Sequence, residues 1–235
     1  MVSGTSVDGG ESLQSLRRAL EEKRPRIQVG VFLWASSNLP RFPWRQPGRT
    51  PYEVLIGEFW LKESNPGVAI SLYERFLERF FCIRALAEAS QADIQAVLTS
   101  FKLEEHASGI KTLAVSLLKE GKKDLPDDAE IFLKSSGLGR NIIQAIMCFS
   151  YNLPVAVLDV NTVRMLSRIF IAVLPSRPSL GLIQAIAQNL LPERNPQDFN
   201  SGLLDMAELI CCNEGSQCRQ CYVIEACDHA LSFSS

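Results

Sequence analysis

Four cysteines near the C-terminal end, Cys211, Cys218, Cys221 and Cys227, follow the spacing C-x6-C-x2-C-x5-C, and no other feature constrains the chain as strongly. Four thiols on so short a stretch close around one compact centre. In a reducing compartment such a group serves a metal rather than disulfides. The spacing matches a [4Fe–4S] site, which asks four thiolates of the protein and nothing else. A structural zinc is the alternative, because four-cysteine zinc sites also use short C-x2-C hooks, although they more often pair two hooks and here there is one. Cys82, Cys148 and Cys212 fall outside the pattern and read as small buried hydrophobes.

The rest of the chain reads as an ordinary globular protein. With 46% hydrophobic residues among 235, it can bury a full core. No run approaches 18 apolar residues and the N-terminus is polar, so a cytoplasmic location is expected, nucleoid-associated in a prokaryote, with no membrane partner. The net charge of −2 does not favour a phosphate binder as a whole, but it leaves room for a local basic face.

Apolar residues recur every three to four positions along most of the length, with no paired alternating runs joined by hairpin turns, so the fold class is all-α. The periodicity predicts helices over about 11–23, 27–37, 51–62, 66–79, 84–88, 92–98, 105–120, 127–134, 139–151, 160–173, 179–191 and 196–210. The four prolines of "NLPRFPWRQPGRTPYE" (38–53) exclude a regular helix there, and the stretch is expected to cross between structural units.

Two further stretches carry candidate chemistry. In "LKSSGLGRNIIQAI" (133–146), Gly137 and Gly139 sit between two helical patterns, where they can let a phosphate approach the amides at the next helix N-terminus. An ordinary helix connection explains the same glycines. In "VAVLDVNTVRML" (155–166), an apolar stretch breaks at Asp159 just ahead of a helix. That is the usual place for an N-cap, and equally a place for a carboxylate held ionised beside a developing cation.

Glycine hairpin, Asp and four cysteines, in this order, resemble the helix-hairpin-helix DNA glycosylases of the endonuclease III superfamily, over roughly residues 40–229. Adenine glycosylases of the MutY kind are the nearest branch, with the mismatch thymine glycosylases close behind. "SGLGRNIIQAI" resembles the family's "PGVGR-x-TAGAI", "VLDVNTVRM" its catalytic "ILDGNVKRV", and "TPYEVLIGEFWLKES" (50–64) its "TPYKVWLSEVMLQQT". The resemblance implies a two-lobed fold: a six-helix lobe with the hairpin at 45–152, and a second lobe of 1–44 plus 153–235 that holds one [4Fe–4S] cluster on Cys211, Cys218, Cys221 and Cys227. It implies a monomer acting on double-stranded DNA that contains a mismatch or lesion. Glu58 falls on the family's catalytic glutamate. Flanked by Ile56, Phe59 and Trp60, it is expected to stay protonated by desolvation and to donate to the flipped base, while Asp159 stabilises the oxocarbenium-like sugar. The hairpin residues Gly137, Leu138, Gly139, Arg140 and Asn141 would hold a phosphate.

Departures from the family pattern narrow the expectation. Asn141 stands where bifunctional members carry the Schiff-base lysine, which implies a glycosylase without efficient lyase activity. Lys62, Glu63 and Ser64 replace the family's "QQT". Leu103, within "SFKLEEHA", takes the position of an intercalating tyrosine, where an apolar wedge is still reasonable. The chain ends soon after Cys227, without the further domain that reads 8-oxoguanine in the adenine branch, and its cysteine loop "CNEGSQ" has no Lys or Arg to touch DNA. The altered wedge, the acidic cysteine loop and the net charge of −2 favour a runner-up reading, a non-catalytic DNA-binding or damage-sensing protein on the same scaffold, and the two carboxylates in register argue against it. A redox sensor is a third.

Overall fold

The computed structural model describes residues 8–38, 42–46, 48–119 and 139–232. The helix expected at 127–134, and Gly137 and Leu138 of the glycine turn, lie outside the described residues. Among the described residues every regular element is helical. The helices are α1 (Asp8–Asn38), α2 (Pro51–Glu63), α3 (Pro66–Arg79), α4 (Ile83–Glu88), α5 (Gln91–Thr99), α6 (Ala107–Lys119), α7 (Arg140–Phe149), α8 (Val160–Ile169), α9 (Leu180–Leu190), α10 (Pro196–Leu209) and α11 (Asp228–Leu231). None of them is long and apolar enough to cross a membrane. The chain divides into two compact units, residues 41–153 and residues 1–40 with 154–235.

In the unit of residues 41–153, helix starts follow from local chemistry. Thr50 forms a capping box with Glu53 ahead of α2, and Asn65 and Ser90 cap α3 and α5. Pro51 and Pro66 occupy first helical positions, where a missing N–H costs nothing. Cys82 corrects an expectation: it is half-buried, and its sulfur accepts the Ala85 N–H as the cap of α4. The core is aromatic, with Trp44, Trp60 and Phe76 fully buried and the rings of Phe42, Trp44 and Tyr73 in succession.

In the other unit, α1 is one helix where two were expected. Pro25 lies inside it on the exposed side. A mid-helix proline costs about 3 kcal/mol. That cost is offset because the apolar face runs unbroken on both sides of it, burying Leu16, Leu20, Ile27, Val31 and Trp34 against the same core as Phe199 and Ile183. Close approach depends on two glycines. A Cβ on Gly30 would lie 2.4 Å from the Tyr222 carbonyl, and one on Gly202 would lie 3.0 Å from the Val31 and Ala35 side chains. Lys23 of α1 pairs with Asp228 of α11 and donates to the Ile169 carbonyl at 2.8 Å, which fastens the C-terminal end to α1 and α8.

Candidate active site and cysteine loop

Glu58 projects from α2 toward the short 3-10 turn Pro43–Arg45. Its Oε1 accepts from Trp44 Nε1 at 3.0 Å and from Arg45 Nε at 2.7 Å, and its Oε2 from Arg45 Nη2 at 3.3 Å. The Arg45 and Glu58 side chains are 8% and 11% exposed. The guanidinium also lies 4.8 Å from the Phe42 ring centre and 5.0 Å from that of Phe149. Polar donors, rather than the expected apolar pocket, meet this carboxyl. Ile56 and Trp60 turn into the core, and N–H donors meet both oxygens of Glu58, which act as acceptors here. Arg45 and Trp44 were missed because they reach Glu58 from a short 3-10 turn thirteen and fourteen residues away, a separation no periodicity marks.

Gly57 makes this arrangement possible. A Cβ there would lie 2.1 Å from the Trp44 ring, itself fully buried. Gly57→Ala is therefore expected to displace Trp44 and the Arg45–Glu58 pair, costing roughly 1–3 kcal/mol of stability in a urea melt and about tenfold or more in any rate that depends on Glu58.

Asp159 is the N-cap of α8. Its Oδ1 accepts the Thr162 N–H at 2.7 Å and the Thr162 hydroxyl at 2.8 Å, and that hydroxyl oxygen accepts the Asp159 N–H at 2.8 Å. Thr162 is buried and Asp159 half-buried. Among the described residues, the bonds to this carboxylate all fall on Oδ1. The capping reading is thus realised without consuming Oδ2.

Of the hairpin residues, Gly139 caps α7 in an extended conformation, φ −64 and ψ 144, and Arg140 is exposed. The Asn141 side-chain oxygen is 2.8 Å from where a Gly139 Cβ would sit, so this glycine serves a close approach. Lys62 is exposed and pairs with Glu63 at 3.1 Å. Leu103 is 8% exposed, folded into its own unit rather than presented as a wedge.

Cys211, Cys218, Cys221 and Cys227 line one cavity, walled by Met165, Ile169, Ile210, Val223 and Ile224. None is in a disulfide. Burial pushes the Cys221 thiol up to about 11, with the Cys227, Cys211 and Cys218 charges adding to it, and burial raises Cys227 as well. Among the described residues, no three His, Cys, Asp or Glu side chains converge on a single metal ion. The loop shape comes from α8. Arg168 Nη1 donates to the Cys211 sulfur at 3.3 Å, the Cys212 carbonyl at 2.8 Å and Ser216 Oγ at 2.9 Å, while Arg164 Nε donates to the Cys211 carbonyl at 2.9 Å. These arginines were also missed. Cys148 is buried as expected, whereas Cys212 is half-buried and donates to the Glu208 carbonyl at 3.3 Å.

The fold is that of the endonuclease III-like DNA glycosylases. A thermostable thymine-DNA glycosylase superimposes with a TM-score of 0.83 over 91% of this chain and 99% of its own, at 24% identity. Endonuclease III, trapped as a covalent intermediate with DNA, gives 0.71 over 94% and 98%, at 15% identity. In sequence the chain is 25% identical to the thymine/uracil-DNA glycosylase of Methanothermobacter thermautotrophicus, over 90% of this chain and 96% of that one. It is 26% identical to the adenine DNA glycosylase of Mycobacterium tuberculosis, over 82% of this chain but 64% of that protein, so it spans about two thirds of that relative. No family model matches the chain. In fold and in sequence the chain is thus similar to DNA glycosylases of the endonuclease III-like kind.

Proposed function

We propose that the chain is a monofunctional DNA glycosylase that hydrolyses the N-glycosidic bond of a mispaired or damaged base, adenine or a mismatched or modified pyrimidine, in double-stranded DNA during base excision repair. The observation that carries this is Asp159: a carboxylate locked by its own capping box, with one oxygen unbonded among the described residues, on a scaffold similar over nine-tenths of its length to a base-removing enzyme. As the bond to the base breaks, positive charge develops on the sugar, and a fixed anion stabilises that charge without having to reorganise. Glu58, clamped by Arg45 and Trp44, accepts a hydrogen bond from the edge of the extruded base. The clamp favours a base that presents an N–H, as the imide of thymine or uracil does, over one that must be protonated before it leaves. Gly137, Leu138, Gly139, Arg140, Asn141 and Lys62 meet the DNA backbone. Leu103 must turn out of its packing to act as a wedge. Asn141 cannot form an imine, so strand cleavage is not part of the reaction. The protein works as a monomer on DNA.

We propose further that Cys211, Cys218, Cys221 and Cys227 hold one [4Fe–4S] cluster. The residues fit it: four thiols line a single cavity walled largely by aliphatic side chains, the donor set that such a centre takes from a protein. When bound, the cluster contributes cohesion to the C-terminal loop, while bond cleavage is left to the carboxylates. Cys221→Ser is expected to abolish bound iron by elemental analysis and to cost more than about 4 kcal/mol of stability, the scale of losing a structural metal. Zinc in place of iron in the purified wild type would overturn the assignment.

The activity is tested by single-turnover base release from a panel of mismatched and lesion-bearing duplexes. Release from G·T, G·U or A-containing mismatches without strand scission is expected. No release from any duplex would favour the non-catalytic DNA-binding reading, which the inward Leu103 supports.

A further inference from the structure

From Pro154 to Leu158 the backbone runs without regular structure and, among the described residues, with no strand beside it, a situation that ordinarily leaves N–H and C=O groups unpaired. Here side-chain amides from two helices pair them. Asn200, on α10 and 1% exposed, accepts the Val157 N–H at 2.9 Å through Oδ1 and donates Nδ2 to the Val155 carbonyl at 3.0 Å. Gln188, on α9, accepts the Ala156 N–H at 3.0 Å and donates to the Pro154 carbonyl at 2.7 Å. Gln184, one turn earlier on α9, donates to the Ala156 carbonyl at 3.0 Å. Asn200 and Gln188 are each used at both ends, so they stand in for the edge of a neighbouring strand. Only a carboxamide offers a donor and an acceptor side by side, since a carboxylate cannot donate and an aliphatic side chain does neither. The side chains of Ala156, Val157 and Leu158 are buried, which holds the segment from its other side. The segment ends at Asp159, whose N–H is taken by Thr162.

We propose that Asn200, Gln188 and Gln184 are positioning residues for Asp159, setting where its carboxylate stands before α8 begins. This rests on the reading of Asp159 as the carboxylate beside the developing sugar cation. A chain bonded only at its helical end can rotate about the residues before the cap. Bonded at five backbone groups ahead of the cap, it cannot. A catalytic group displaced by a small distance loses rate far more than affinity.

The test joins single-turnover base release and duplex affinity with amide exchange, in Asn200→Leu, Gln188→Met and Gln188→Glu proteins. Asn200→Leu is expected to slow base release by about tenfold or more with duplex Kd within about threefold of wild type, and to speed exchange at the Ala156 and Val157 amides by about tenfold or more. Gln188 is exposed, so Gln188→Met folds whatever becomes of the buried variant; it should slow release with affinity retained, and Gln188→Glu, which keeps the acceptor, should fall between it and wild type. Full rate in either folded variant that lacks the bracket, or unchanged exchange at Ala156 and Val157, overturns the proposal. Lost rate in Asp159→Asn beside full rate in these variants overturns the proposal alone. A wild type that releases no base from any duplex overturns the reading of Asp159 and the catalytic role of the bracket with it.

Discussion

Asp159→Asn protein is expected to release base about a thousandfold more slowly than wild type while binding the same duplex within about threefold and melting within roughly 0.5 kcal/mol of it. Stability should hold because Asn caps helices as well as Asp does, and the amide oxygen can still accept from the Thr162 N–H and hydroxyl, the two bonds that Oδ1 makes. What is lost is the charge alone. A unit charge about 4 Å from a developing cation is worth about 4 kcal/mol at an effective dielectric near 20, which corresponds to roughly a thousandfold in rate. Single-turnover kinetics on a mismatched duplex and a thermal melt read the two quantities separately. Asp159→Ala should add a cap loss of about 1 kcal/mol to the same rate defect. Equal rates in wild type and Asp159→Asn would make the cap the whole role of this residue and leave the chain a binder.

The parts of the molecule that depend on neighbouring residues were legible in the sequence, and the parts that depend on distant ones were not. Apolar spacing and the capping residues Thr50, Asn65, Ser90 and Ser179 mark where helices run and begin, because a helix is made of contacts three and four residues apart. Pro25 shows the limit of that reading. Its cost is local and visible, whereas the burial that overrides it involves residues from the other end of the chain. The same limit hides the polar frame of the candidate site. Arg45 reaches Glu58 from the proline-rich stretch, Arg168 reaches the cysteine loop across 43 to 48 positions, and Asn200 reaches Val157 across 43. An isolated Asn or Arg on a helix reads as surface from its sequence alone. The loop "CNEGSQ" makes the point chemically: it lacks its own basic residue, and an arginine from α8 supplies the donors that hold its carbonyls. Asp159 was legible as a cap, but that the bonds to its carboxylate among the described residues fall on one oxygen is a fact of geometry.

Arg45→Met is expected to cost about 3–5 kcal/mol of stability, because among the described residues it leaves the nearly buried Glu58 carboxylate with the Trp44 N–H alone. Methionine fills much of the space between the Phe42 and Phe149 rings and packs well against aromatic faces, so the loss reports the missing charge rather than a cavity. An exposed ion pair would give less than about 1 kcal/mol, and a urea midpoint within that range would show that solvent already screens Glu58. Adding Glu58→Gln to Arg45→Met removes the stranded charge and should restore most of the stability, with a coupling of about 2 kcal/mol or more across the double-mutant cycle. Base release should not return with it. In the side chain introduced by Glu58→Gln the amide oxygen takes the Trp44 N–H, so the edge of the extruded base meets an NH2 donor where the carboxylate offered an acceptor. A double variant that is as stable as wild type yet slow would separate the two roles of the pair, one in holding residues 41–153 together and one in the chemistry. A double variant that is both stable and fully active would leave Glu58 a structural acid and place the whole catalytic burden on Asp159.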